Sequence, residues 1–169
     1  MNTATITKTA TTTSATAGKY LTFVLGKEEY GIQILKVREI MGLQEITAVP
    51  QTPAHIKGVI NLRGKVVPVI DLRLKFGLAA ADYTQRTCII VTQVRAESGA
   101  VLMGIVVDGV SEVLTLGGSE IEDTPDFGEE YSGGYLLGMA KVKGKVKILL
   151  DIERVLSTQD LHNLNAMLH

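Results

Sequence analysis

Three histidines, a single cysteine and two aspartates at matching places in a repeated segment are where catalytic or metal chemistry would first be sought in this chain. His55 lies in the proline-bracketed stretch Val49-Pro50-Gln51-Thr52-Pro53-Ala54-His55, whereas His162 and His169 belong to the C-terminal stretch. A bound metal needs several lone pairs converging at short fixed spacings, such as H-E-x-x-H, and no such spacing occurs. Cys88 has no second cysteine and sits in the apolar run Thr87 to Val91, as a small buried hydrophobe would. Neither G-x-x-x-x-G-K-[ST] nor G-x-G-x-x-G follows a strand-like run, so the usual phosphate cradles are missing. Asp71 and Asp151 each precede a short helical pattern, where a carboxylate accepts from the unpaired N–H groups of the first turn. A hydrolase built on Asp71 and His55 would require those two side chains within hydrogen-bond reach. The expectation is a chain with no active site, no metal and no cofactor.

Charged residues inside apolar strands say more. Glu39 follows Val37 in one strand-like run, and Arg63 closes the turn Asn61-Leu62-Arg63-Gly64; their counterparts further along are Glu112 and Lys143. An acid and a base kept together in both places fit an ion pair that fixes one wall of the fold. The differences fit a specialised surface: Asn61 becomes Lys141, Arg63 becomes Lys143, and Pro68 becomes Ile148. At these matched positions only the first copy carries a planar guanidinium able to bind in bidentate fashion.

The elements that hold these residues are duplicated. GVINLRGKVVPVIDLRLKF, starting at Gly58, is matched by GMAKVKGKVKILLDIERVL, starting at Gly138, at one constant offset through Gly64 and Gly144, Val66 and Val146, and Asp71 and Asp151. Upstream, Gly31 to Ile40 matches Gly104 to Val113 at a shorter offset, so the second copy carries an insertion, placed in the polar stretch Gly117 to Gly134. Alternating apolar runs around Gly26-Lys27 and around Gly64 predict hairpins. The same order of strands recurs from Thr87 to Leu150, and five short strands per copy predict two small closed barrels of SH3-like type, since closure removes exposed edges. The chain thus divides into a Thr- and Ala-rich tail over 1–18, a first β module over 19–84, a second over 85–150, and an amphipathic C-terminal helix over 151–169 packing on the barrels, with strand exchange between the modules left open.

Composition narrows the function classes. The chain has 169 residues, 46% hydrophobic and 21% charged, with a net charge of −1. That balance lacks the basic stripe of a bulk nucleic-acid binder, and aromatics at 5% without tryptophan give little base-stacking surface. No apolar run approaches the roughly 20 residues of a spanning helix, and the tail lacks the apolar centre of a secretory signal. A cytoplasmic protein is expected, reaching membranes only through partners.

Three ordered motifs carry a family resemblance: Tyr30-Gly31-Ile32 through Glu39-Ile40, Ile56-Lys57-Gly58 through Asp71-Leu72-Arg73, and Gly104-Ile105-Val106-Val107-Asp108-Gly109-Val110-Ser111. Over roughly residues 19 to 165 the chain resembles the bacterial chemotaxis coupling proteins, the CheW-like adaptors. The resemblance implies a non-catalytic adaptor joining the cytoplasmic tips of methyl-accepting chemoreceptors to the regulatory domain of a sensor histidine kinase; a coupling protein for another behaviour, such as surface motility, would look alike. Carried over by motif, receptor binding falls on Val37, Glu39, Gly58, Asn61, Arg63 and Val110. Kinase binding falls on Tyr30 and Ile34, and a second, ring-forming contact on Phe127, in a loop where Glu122 replaces a cation common among relatives.

Overall fold

Arg63 and Gly64 both have positive φ, 51° and 86°, as do Lys143 and Gly144 at 54° and 80°. Two successive left-handed residues match the right-handed twist of flanking strands and make the tight turn of a two-residue hairpin. Each turn therefore closes a hairpin: β4 (Ile56–Leu62) with β5 (Lys65–Asp71), and β10 (Leu136–Val142) with β11 (Lys145–Leu150). The turn at Gly26-Lys27 likewise joins β1 (Gly18–Leu25) to β2 (Glu28–Gln33). The computed structural model describes residues 17–96, 99–122 and 136–155. Residues 1–16 of the predicted tail, Phe127 and the predicted helix beyond Val155 lie outside these, while Gly18, at the end of that tail, already belongs to β1.

A 3-10 turn, Ile34–Lys36, leads into β3 (Val37–Gly42). After β5 comes the short helix α1 (Leu72–Lys75), then β6 (Cys88–Ala96), β7 (Gly99–Val107) and β8 (Gly109–Leu116). A second 3-10 turn, Gly118–Glu120, precedes the two-residue β9 (Ile121–Glu122), and α2 (Ile152–Val155) follows β11. The strands form two sheets, ordered β3-β6-β7-β5-β4 and β8-β1-β2-β11-β10-β9. The hairpins are exchanged: β1–β2 from the first sequence copy pairs with β8 and β11 of the second, and β6–β7 pairs with β3 and β5 of the first. Each exchange is sealed by one parallel ladder, β2 with β11 and β5 with β7. Pro68 sits just outside the parallel ladder, which runs from Val69 to Asp71, where its missing N–H costs no bond.

The expectation of two closed barrels is corrected. The structure holds two open sheets of five and six strands, with β3 and β4 as the edges of one and β8 and β9 as the edges of the other. Closure would need β3 to ladder onto β4. Instead the connection between them lays Thr47 against Val59 through two backbone hydrogen bonds of 2.8 and 2.9 Å, a single bridge. In the second sheet β9 plays the same part against β10 over two residues. Gly58 and Gly138 permit these approaches: a Cβ on Gly58 would lie 2.7 Å from the Thr47 carbonyl carbon, and one on Gly138 2.7 Å from the Glu122 oxygen.

Three apolar clusters follow from this plan. Ile60, Leu62, Val67, Val69, Ile89, Val91 and Val106 gather within the five-stranded sheet, and Tyr20, Leu116, Ala140 and Leu149 within the six-stranded one. The largest draws on both sheets, joining Phe23, Leu25, Ile32 and Leu150 to Ile70, Ile90, Met103 and Ile105.

Candidate partner-binding surfaces

Glu39 and Arg63 meet across the open seam of the five-stranded sheet. Glu39 stands on edge strand β3 and Arg63 in the turn after the opposite edge strand, β4, yet the Arg63 Nη2 donates to Glu39 Oε1 at 2.5 Å and its Nη1 to Oε2 at 3.5 Å. The side chains thus span the gap that the backbone leaves open. The Arg63 guanidinium holds the Glu39 carboxyl below its usual range, first through the hydrogen bond and further through its charge. Arg63 remains 73% exposed, so the pair is a surface feature whose own contribution to stability is small. Glu112 and Lys143, at the matching places of the other sheet, form no such pair.

Asn61 belongs to the same corner. Its Oδ1 accepts from the Gly64 N–H at 2.7 Å, an Asx-type bond that braces the turn presenting Arg63. Gly58 is buried, and the space left by its missing side chain is filled by the chain's own Thr47-Ala48 segment. The close approach that Gly58 permits in this structure is therefore an internal one. Val37 and Val110 are half-buried against the cluster shared by both sheets, Val110 opposite Phe23 and Val37 opposite Thr92.

Tyr30 and Ile34 also face that shared cluster. The Tyr30 ring stacks on Phe23 at 6.0 Å between centroids and tilts against Phe76 at 5.7 Å. The residue that sequence reasoning missed is the next one, Leu35, which is 91% exposed. Inside the continuous run Ile32 to Val37 nothing in the sequence distinguishes it; only the 3-10 turn rotates it outward. It borders a groove of about 510 Å³ with Lys36, Arg38, Gln93, Arg95 and Glu153. Lys36 is paired to Glu153 on α2.

Asp71 is committed to structure. Its Oδ1 accepts from the N–H groups of Arg73 and Leu74 at 2.9 and 3.4 Å, capping α1, and its Oδ2 accepts from the Tyr83 hydroxyl at 2.9 Å. Burial and the Asp71 charge push the Tyr83 phenol well above its usual range. The contact between His55 and Asp71 that is seen is a backbone one, Asp71 N–H to His55 carbonyl at 2.8 Å. Asp151 caps α2 through the Glu153 N–H at 3.1 Å. Among the described residues no cluster of three His, Cys, Asp or Glu side chains could hold a metal ion, and no helix is long and apolar enough to cross a membrane.

Comparison with known proteins places this geometry. Residues 19–160 match the family model of the CheW-like domain. The chain is 45% identical over 143 residues to the chemotaxis protein CheW of Klebsiella aerogenes, covering 85% of this chain and 84% of that protein. It is 28% identical over 142 residues to the protein FrzA of Myxococcus xanthus, covering 83% and 86%. The crystal structure of the scaffolding protein TtCheW from Thermoanaerobacter tengcongensis superposes with a TM-score of 0.75 at 31% identity, covering 85% of this chain and 97% of that one.

Proposed function

Because this chain belongs to the CheW-like domain family, we propose that it is a non-catalytic adaptor of a chemotaxis signalling array, coupling the cytoplasmic tips of chemoreceptors to the regulatory domain of a sensor histidine kinase. It works in the cytoplasm and is held at membrane receptor arrays through these partners. Signals pass by contact and require no bond-making, in keeping with Asp71, whose two carboxylate oxygens are both spent on capping and on Tyr83.

The observation that carries the receptor part is the Glu39–Arg63 pair. A guanidinium exposed at a sheet seam and oriented by a carboxylate and by a braced turn is a pre-set hydrogen-bond fork for the carboxylates or backbone carbonyls of a helical hairpin. Val37 and Val110 add apolar surface, and Asn61 holds the turn. Tyr30 and Ile34 shape the kinase contact from beneath, and Phe127 supplies the ring-forming one.

Arg63→Ala is expected to weaken binding of a receptor-tip helical hairpin about tenfold, while binding of the kinase regulatory domain changes less than about twofold. Calorimetric titration against each partner measures both. Equal loss of both affinities with a lowered melting temperature would assign Arg63 to scaffolding instead. The likeness to FrzA supports a second reading, the same coupling role in another chemosensory pathway; pull-down with the two pathways' receptors from one organism separates them.

A further inference from the structure

The groove beside Leu35 combines three features found together nowhere else among the described residues. Leu35 is the most exposed large apolar side chain, at 91%. Arg38 and Arg95 border the same groove, and among the described residues no carboxylate pairs with either of them. The third cation, Lys36, is already neutralised by Glu153, so the uncompensated charge is the two guanidinium groups. Buried Val94 forms part of the floor, and Gly99 and Ala100 keep one wall low.

Position on β3 separates this groove from the Glu39–Arg63 corner. Along the strand, burial alternates from Val37 to Gly42, with Arg38 and Ile40 exposed and Val37, Glu39 and Met41 half-buried. The register against β6 shifts at Arg38, between Val37 opposite Thr92 and Glu39 opposite Val91, a bulge that re-aims its side chain, and of the two charged neighbours only Arg38 lines the groove. One short element thus borders both the groove and the Glu39–Arg63 corner.

We propose that this groove receives an acidic amphipathic segment of the kinase regulatory domain, which sets an apolar side chain over Leu35 and carboxylates on Arg38 and Arg95. The assignment to the kinase rests on the adaptor reading above and on continuity: Leu35 adjoins Ile34 in the same 3-10 turn, and that turn leads out of β2, which carries Tyr30. The acidic character rests on the groove alone. Two unpaired guanidinium groups flanking an apolar side chain disfavour a basic or purely apolar ligand and offer bidentate sites for carboxylates.

The test is titration of the purified kinase regulatory domain, and separately of a receptor-tip hairpin, into the full chain and its Leu35→Ala, Arg38→Glu and Arg95→Glu variants, at low and at high salt. Each charge reversal is expected to weaken kinase binding about tenfold at low salt, with the difference shrinking at about 1 M salt as screening shortens to about 3 Å. Leu35→Ala is expected to weaken it at both salt concentrations, and receptor binding is expected to stay within about twofold. Kinase affinity unchanged in all three variants, while the unaltered chain binds, would overturn the groove and leave the adaptor reading standing. Loss of receptor binding in place of kinase binding would overturn it too. So would a fall in melting temperature of the two arginine variants with unchanged affinity, because the arginines would then be holding the chain's own segments. Absence of kinase binding by the unaltered chain would instead sink the adaptor reading itself.

Discussion

Glu39 and Arg63 form an exposed pair that contributes little energy to the fold. Their hydrogen bond depresses the folded carboxyl pKa, so what stability it adds is present above the unfolded carboxylate value of about 4.3 and is lost as pH falls through the folded value. Following the Glu39 carboxyl by NMR should give a midpoint below about 4.3, and Arg63→Ala should return it to the ordinary range. An unmoved midpoint would mean that the pair is not formed in solution. Gly58 is the opposite case, a residue whose missing side chain makes room for the chain's own backbone. At φ 142° and with the Thr47 carbonyl carbon 2.7 Å from where a Cβ would stand and its oxygen nearer still, Gly58→Ala has to displace the β3–β4 connection. A loss of about 2–4 kcal/mol is expected by chemical denaturation, from strain and overpacking together. Gly64→Ala, with nothing near its absent Cβ, should lose only about 1–2 kcal/mol for its left-handed φ.

The exchanged hairpins depend on their parallel seams, and one seam contains a nearly buried ion pair. Lys147 on β11 lies directly opposite Glu29 on β2 and donates to its Oε1 at 2.6 Å, with the Lys147 side chain 6% exposed. The bond from Lys147 holds the Glu29 carboxyl below its usual range. Lys147→Ala leaves that carboxylate facing the seam without its donor, and a loss of about 1–3 kcal/mol is expected in urea unfolding. Lys147→Met, which keeps the packing stem, should be milder if packing matters more than the charge. The loss should shrink as pH drops below about 4, where the unfolded carboxyl is protonated and then the folded one. The hairpins themselves were legible beforehand: the turns expected at Gly26-Lys27 and Gly64 do join paired antiparallel strands, because alternation and left-handed turn positions are local properties.

The two sheets share one core, which predicts that they unfold as a single cooperative unit. Phe23 is fully buried in the cluster that unites residues of both sheets. A polar clasp works beside it: Asp108 Oδ2 accepts from the Gly26 N–H at 2.7 Å and from Arg73 Nη1 at 2.8 Å, tying the β1–β2 turn, the β7–β8 junction and α1 together. Phe23→Ala should therefore cost about 3–5 kcal/mol and lower one calorimetric transition without splitting it. Two separated transitions would mean that the sheets melt independently.

Duplication, mostly-β character, the hairpin turns, the helix-capping aspartates and family membership were all determined by the sequence alone, since each depends on neighbours a few positions apart or on ordered motifs. The pairing of Glu39 with Arg63 was legible as a repeated acid and base, though not that it bridges an open seam. Open sheets in place of closed barrels, the exchange of hairpins between copies, the internal use of Gly58 and the outward turn of Leu35 were decided by tertiary structure. The physical reason is that each depends on which distant strand edge supplies the missing backbone partners. A duplicated sequence offers two equally matched edges for every hairpin, and only packing around the shared core selects between them.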